Sequence, residues 1–113
     1  VNHKFKFGSV WCEVAGGDIY FTGGDNHYRY YYQYLKEVVR VSGSSLEVTQ
    51  KVGMLSGRAW HASVYDKDYL YVIAGYNGNH MRECERILVS EDQQEALPPL
   101  PQACSEASVV VVK

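Results

Sequence analysis

The chain has no apolar run long enough to cross a bilayer. Its longest, Val109 to Val112, falls far short of the roughly 20 residues a spanning helix takes. It opens with no basic segment followed by an apolar one, so no secretory leader is expected. It also lacks a basic surplus: 11 Lys and Arg face 13 Asp and Glu, for a net charge of −2 and a pI near 6.1. A protein that grips phosphate backbones carries a basic stripe, so nucleic acid is excluded as a partner. Cysteine is sparse and odd in number. Cys12, Cys84 and Cys104 are too few and too far apart for a disulfide framework, which predicts a reducing, cytoplasmic setting. No catalytic or metal constellation can be assembled. His3, His27, His61 and His80 are dispersed, with none of the close His/Cys/carboxylate spacing that holds zinc, and Ser44-Ser45 has no nucleophile-elbow context. No cofactor, no metal and no enzymatic activity are therefore expected. What is present is 46% hydrophobic and 21% charged residues over 113 positions, the composition of one modest folded domain.

Self-similarity is the main positive signal. Val10-Trp11-Cys12-Glu13-Val14 followed by Asp18-Ile19-Tyr20-Phe21-Thr22-Gly23-Gly24 matches Trp60-His61-Ala62-Ser63-Val64-Tyr65 followed by Tyr69-Leu70-Tyr71-Val72-Ile73-Ala74-Gly75. Tyr20 and Tyr71 are 51 positions apart, as are Gly24 and Gly75, whereas Arg40 and Arg86, like Met54 and Leu100, are 46 apart. The first copy therefore carries five extra residues between Asn26 and Arg40. A third copy begins at Ala103-Cys104-Ser105 and runs into the terminal valines.

Val, Ile, Tyr and Thr dominate the short runs, with Gly, Asn, Asp, Ser and Pro between them, which predicts strands and turns. Strands are expected near 9–14, 18–23, 35–41 and 46–50, and near 60–65, 69–74, 84–89 and 93–97. A helix over Tyr28 to Val41, which has no Gly or Pro, is the weighed alternative, and five tyrosines count against it. Four β-runs per repeat of this length fit the blades of a propeller. The glycine pairs supply close approach and positive φ where the second strand ends.

These segments resemble Kelch repeats. Ile19-Tyr20-Phe21-Thr22-Gly23-Gly24 and Tyr71-Val72-Ile73-Ala74-Gly75-Tyr76-Asn77-Gly78 are similar to the family's double-glycine segment, Cys84-Glu85-Arg86-Ile87 to its third strand, and Leu97-Pro98-Pro99-Leu100-Pro101 to its outer strand and exit turn. The copies depart from the pattern in having Gln94 and Val48 where an outer-strand Trp is usual, Ala74 in the glycine pair, and Ile87 and Val41 in place of the third-strand Tyr. The resemblance implies an all-β fold of four-stranded antiparallel blades in an incomplete ring: a first blade over 1–53 with the tyrosine-rich insertion, a second over 54–101, and the inner strand of a third over 102–113. Two blades cannot close a ring, and a single blade buries too little to stand alone. The expectation is therefore an excerpt of a longer propeller, the alternative being completion of the ring by association.

The resemblance implies a protein-interaction module, acting as a ubiquitin-ligase substrate adaptor or a cytoskeletal scaffold, with a peptide motif or cytoskeletal protein as partner. A Kelch-type sugar epimerase or oxidase is the competing reading. Loops at one mouth of a propeller usually carry the contacts. The expected contact residues are Arg58 and Tyr76, on the positions the resemblance implies, with Asn77, Asn79 and His80 beside them. Tyr28, Tyr30, Tyr31 and Tyr32 join them from the insertion, because tyrosine gives large contact area for little rotamer entropy. The alternative for the insertion is one long third strand with an aromatic face.

Overall fold

In this computed structural model, residues 10–13, 17–28 and 31–103 are described, with side chains for all of these except 10–13, 26–28 and 31–33. Ten strands follow in chain order: β1 (Val10–Glu13), β2 (Ile19–Thr22), β3 (Asp25–Tyr28), β4 (Tyr31–Tyr34), β5 (Val38–Val41), β6 (Val48–Gln50), β7 (Ala62–Asp66), β8 (Tyr69–Tyr76), β9 (His80–Leu88) and β10 (Gln93–Leu97). No helix occurs among the described residues. Four strands, β1-β2-β5-β6, form one antiparallel sheet, and β7-β8-β9-β10 form a second in the same order. The two repeat copies are thus two blades of one design, and the described sheets do not close a ring. The bulk of a third expected copy, 104–113, lies outside the described residues.

Both blades kink where the small pair ends the second strand. Gly23 and Gly24 have φ of 63° and 112°, and Ala74 and Gly75 have 54° and 114°. The β8–β9 ladder shifts register between Ile73 and Gly75, then resumes with Gly75 opposite Met81 and Tyr76 opposite His80. In the first blade the same kink leads into a separate hairpin, β3–β4, with Asp25 opposite Tyr34 and Tyr28 opposite Tyr31. Asp25 and Tyr34 hold the places of Tyr76 and His80, so the five extra residues lengthen a hairpin both blades possess. This corrects two boundaries. The insertion is neither a helix nor part of one long third strand, since β5 begins at Val38. In the second blade, the third strand begins at His80 rather than near 84. A bulge lets pairing restart past a kink that a strictly alternating pattern reads as a strand end.

The blades meet face to face. Tyr20, Val38 and Met54 pack with Leu70, Val72, Ile87 and Val89, with Val52 and Tyr65 at the margin. Each such aliphatic side chain contributes about 1.5–3 kcal/mol by leaving water. The Tyr20 and Tyr65 rings stack at 6.0 Å and 8°. The connection from β6 to β7 runs back across this junction, tied by Met54 N–H to the Lys36 carbonyl (2.8 Å), Arg58 N–H to the Leu35 carbonyl (3.1 Å) and Gly24 N–H to the Arg58 carbonyl (2.8 Å).

Candidate functional site at the loop mouth

Antiparallel order puts the β8–β9 turn, the β3–β4 hairpin and the β6–β7 connection at one end of the blades, and the β5–β6, β7–β8 and β9–β10 turns at the other. The first end is the mouth where the expected contact residues gather. It is built on Tyr76, whose N–H and carbonyl exchange hydrogen bonds with Ala59 at 2.8 and 2.9 Å, clamping the connection to the end of β8. Beyond Tyr76 the chain turns through Asn77-Gly78-Asn79, with Asn77 N–H donating to the Asn79 carbonyl at 3.2 Å and Gly78 at φ 106°. Asn77, Asn79 and His80 are exposed.

Three rings surround that of Tyr76, each near perpendicular to it: Tyr34 at 5.9 Å and 76°, Trp60 at 6.2 Å and 66°, and His80 at 5.3 Å and 67°. Such edge-to-face contacts contribute about 0.5–1.5 kcal/mol each beyond area burial. Tyr34 comes from the inserted hairpin of the first blade, so the two blades share one aromatic cluster. Trp60 is 36% exposed and sits in the left-handed region at φ 50°. A non-glycine residue held there costs about 1–2 kcal/mol, and such strain concentrates at functional positions.

Trp60 and Tyr34 were not among the expected contact residues. Trp60 reads as the first residue of a strand, and only its left-handed twist takes it out of β7. Tyr34 reads as the tail of the tyrosine run, and its ring contact with Tyr76 is set by blade packing. Tyr28, Tyr31 and Tyr32 lie on the β3–β4 backbone at this mouth, with their side chains outside the described set, and Tyr30 falls outside the described residues altogether.

Arg58 needs correction. It is 1% exposed. Its guanidinium donates to Glu85 Oε2 at 2.9 Å and to the Ala74 and Glu83 carbonyls at 2.8 Å each. Burial draws its pKa below the ordinary value, and the Glu85 charge opposes that shift. The Glu85 carboxylate also accepts from the backbone N–H of Leu55 at 2.6 Å and of Ser56 at 3.4 Å, fastening the inter-blade connection. Arg58 is a staple inside the second blade, not a surface contact.

The opposite end holds a polar cleft of ≈ 400 Å³ between the blades, bordered by Asp18, Arg40, Lys51, Tyr65, Asp68 and Ser90. Its charges are satisfied internally. Arg40 Nε donates to Asp18 at 2.8 Å, Lys51 pairs with Asp92 at 3.3 Å, and Ser90 Oγ donates to Asp68. Asp18 is held below the usual carboxylate range by the Gly43 backbone N–H, then by Arg40. Among the described residues, no group of three or more His, Cys, Asp or Glu is placed to hold a metal ion.

The second blade is where comparison with known families decides the matter: residues 57–101 match the family described as the Kelch motif. The second blade is a Kelch motif. Within it, the matched segment runs from the end of the inter-blade connection through β7, β8, β9 and β10 to the exit turn, and the first blade repeats that order with a longer hairpin. Kelch motifs are in general protein-interaction modules. No curated protein sequence matches the chain.

Proposed function

We propose that this chain docks a protein partner on the mouth formed by the β3–β4 hairpin, the Trp60 turn and the Asn77–Asn79 turn. The observation that carries this reading is the contact of Tyr34 with Tyr76. It joins the insertion of one blade to the turn of the next, so that the side chains converge from three separate segments on one surface. Exposed aromatic residues with amphipathic tips are the side chains that dominate interface energetics. Asn77 and Asn79 beside them offer amide donors and acceptors at the rim. At the other end the charges that border the cleft pair with one another, Arg40 with Asp18 and Lys51 with Asp92, which supports the mouth as the docking surface. The odd cysteine count, with Cys84 a buried free thiol, supports a reducing compartment for this encounter, and we place it in the cytoplasm. Binding rather than catalysis is the proposed duty, with adaptor and scaffold as its two versions.

The test is capture of partners from a native lysate by the full-length protein, comparing wild type with Trp60→Gly, Tyr76→Ser and a triple change of Tyr30, Tyr31 and Tyr32 to Ser. Arg86→Gln, on the outer strands, serves as control. Partner recovery should fall at least fivefold for the mouth variants and hold for the control. Equal recovery by all folded variants overturns the proposal.

A further inference from the structure

We infer that Asn77 is a deamidation site, at which the folded chain slowly turns its own side-chain amide into a carboxylate. Of the four asparagines, Asn2, Asn26, Asn77 and Asn79, only Asn77 is followed by glycine. The reaction needs the next backbone nitrogen to reach the side-chain carbonyl carbon, and glycine has no Cβ to block that approach. The fold leaves the step open. Asn77 and Gly78 are exposed, and a Cβ built on Gly78 would meet nothing within 4 Å. Among the described residues, neither the Asn77 carboxamide nor the Gly78 N–H has a hydrogen-bond partner. The turn is held instead by the Asn77 N–H on the Asn79 carbonyl at 3.2 Å, which ties down neither reacting atom. The other asparagines differ. Asn79 precedes His80, which carries a Cβ and stands opposite Tyr76 in the β8–β9 ladder. Asn26 precedes His27 inside β3, opposite Gln33. Pairing in a ladder fixes the backbone against the rotation that closes the ring.

In the reaction the Gly78 nitrogen gives its proton to solvent base and bonds to Asn77 Cγ. The Cγ–Nδ2 bond then breaks, ammonia leaves and a cyclic succinimide remains. Water opens either imide C–N bond, giving aspartate or isoaspartate at 77, with nothing oxidised or reduced. Both products add one negative charge to a chain whose net charge is −2. Isoaspartate also routes the main chain through the former side chain, which adds a methylene to the turn seating Tyr76 against His80 at 5.3 Å. Neither step depends on what docks at the mouth.

The experiment incubates the full-length protein at pH 6 and pH 8 beside a free peptide of residues 75–80. Conversion is read by peptide-mapping mass spectrometry, and isoaspartate by enzymatic methyl transfer. Asn77 should convert within tenfold of the peptide rate, at least tenfold faster than Asn26 or Asn79, to both products and faster at pH 8. Asn77→Gln, whose longer side chain closes the ring poorly, should lose methyl acceptance at this turn. An Asn77 that stays an amide once the peptide has reacted, or that yields aspartate alone, overturns the inference. Urea below the unfolding transition separates two routes. An unchanged rate supports reaction in the native turn, whereas a rate that climbs with urea places it in the unfolded chain and overturns the assignment.

Discussion

Thr22 Oγ1 lies 2.6 Å from His61 Nε2, a hydrogen bond between the last residue of β2 in one blade and the entry to β7 in the next. Both residues are buried, and His61 Nδ1 finds no hydrogen-bond partner among the described residues. The less costly tautomer therefore carries its proton on Nε2 and donates to Thr22, because an orphaned N–H is worse tolerated than a bare lone pair. Thr22→Val strands that N–H inside the protein and should cost about 1–3 kcal/mol, read from urea midpoints at constant slope. Pairing it with His61→Phe should recover part of the loss. A double variant no better than the sum of the two singles would show that the bond does not join the blades.

The same imidazole sets an acid limit. Burial, with the Arg58 charge beside it, lowers the His61 pKa from 6.5 to about 3. The folded state therefore binds fewer protons than the unfolded state between those values. Stability is complete above the unfolded pKa, begins to fall as the pH drops through 6.5, and goes on falling until about 3. The slope from this one group approaches about 1.4 kcal/mol per pH unit within the window. Urea unfolding at pH 7, 6, 5 and 4 should show that decline, and His61→Phe should flatten it. An unchanged slope in His61→Phe would refute the assignment.

Glu85→Ala leaves the Arg58 guanidinium buried without its counter-charge and releases the backbone N–H groups of Leu55 and Ser56. The expected loss is about 3–5 kcal/mol, the usual penalty for breaking a buried ion pair from one side. Arg58→Met combined with Glu85→Leu should be far milder than either single change, since no charge is then left unpaired. A single Glu85→Ala that unfolds at the wild-type denaturant concentration would mean the staple contributes nothing.

Gly23→Ala should be among the most damaging small changes. Its φ of 63° disfavours any Cβ, and a Cβ there would strike the Arg58 carbonyl oxygen and approach His61 Cε1 to 2.8 Å. At least about 2 kcal/mol should be lost, from left-handed strain and overpacking together. Gly78, with similarly positive φ but nothing within 4 Å, should suffer only the backbone strain, so Gly78→Ala should cost about half as much or less. Equal midpoints for the two variants would contradict the close approach at Gly23.

Trp60→Gly should separate binding from folding. Glycine relieves the left-handed strain at φ 50°, worth about 1 kcal/mol, against the loss of one ring contact. The variant should melt within a few degrees of wild type while failing to capture partner. A melting temperature more than about 8 °C lower would show that the indole is structural instead.

Much of the fold was legible because it is written in local patterns. β10 at 93–97 coincides with the expected strand, and the 51- and 46-residue offsets locate the insertion on their own. The kinks were legible too, since positive φ favours glycine and two small-residue pairs mark both places. The insertion's shape was not. Five extra residues between two strands fit a longer strand or a longer hairpin equally well, and only the register of Asp25 opposite Tyr34 separates them. At the site, the resemblance implies Tyr76, with Asn77, Asn79 and His80 beside it in the loop after the second strand, and the fold puts these four residues around the β8–β9 turn. Arg58 departs from its expected exposure because an arginine after Ser56-Gly57 has the local look of an exposed loop cation, while Glu85, which draws it inward, stands 27 residues away.

The sequence by itself determined the strand-forming runs, the small residues at the kinks and the repetition of one unit. Each of these is a matter of backbone preference within a few residues. Which polar groups lie inside, and which rings share a surface, was decided only by the packing of one sheet on the next. Thr22 with His61, Arg58 with Glu85 and Tyr34 with Tyr76 are all distant in sequence. Burial and electrostatic satisfaction depend on neighbours in space, and those neighbours exist only once the two blades have closed on each other.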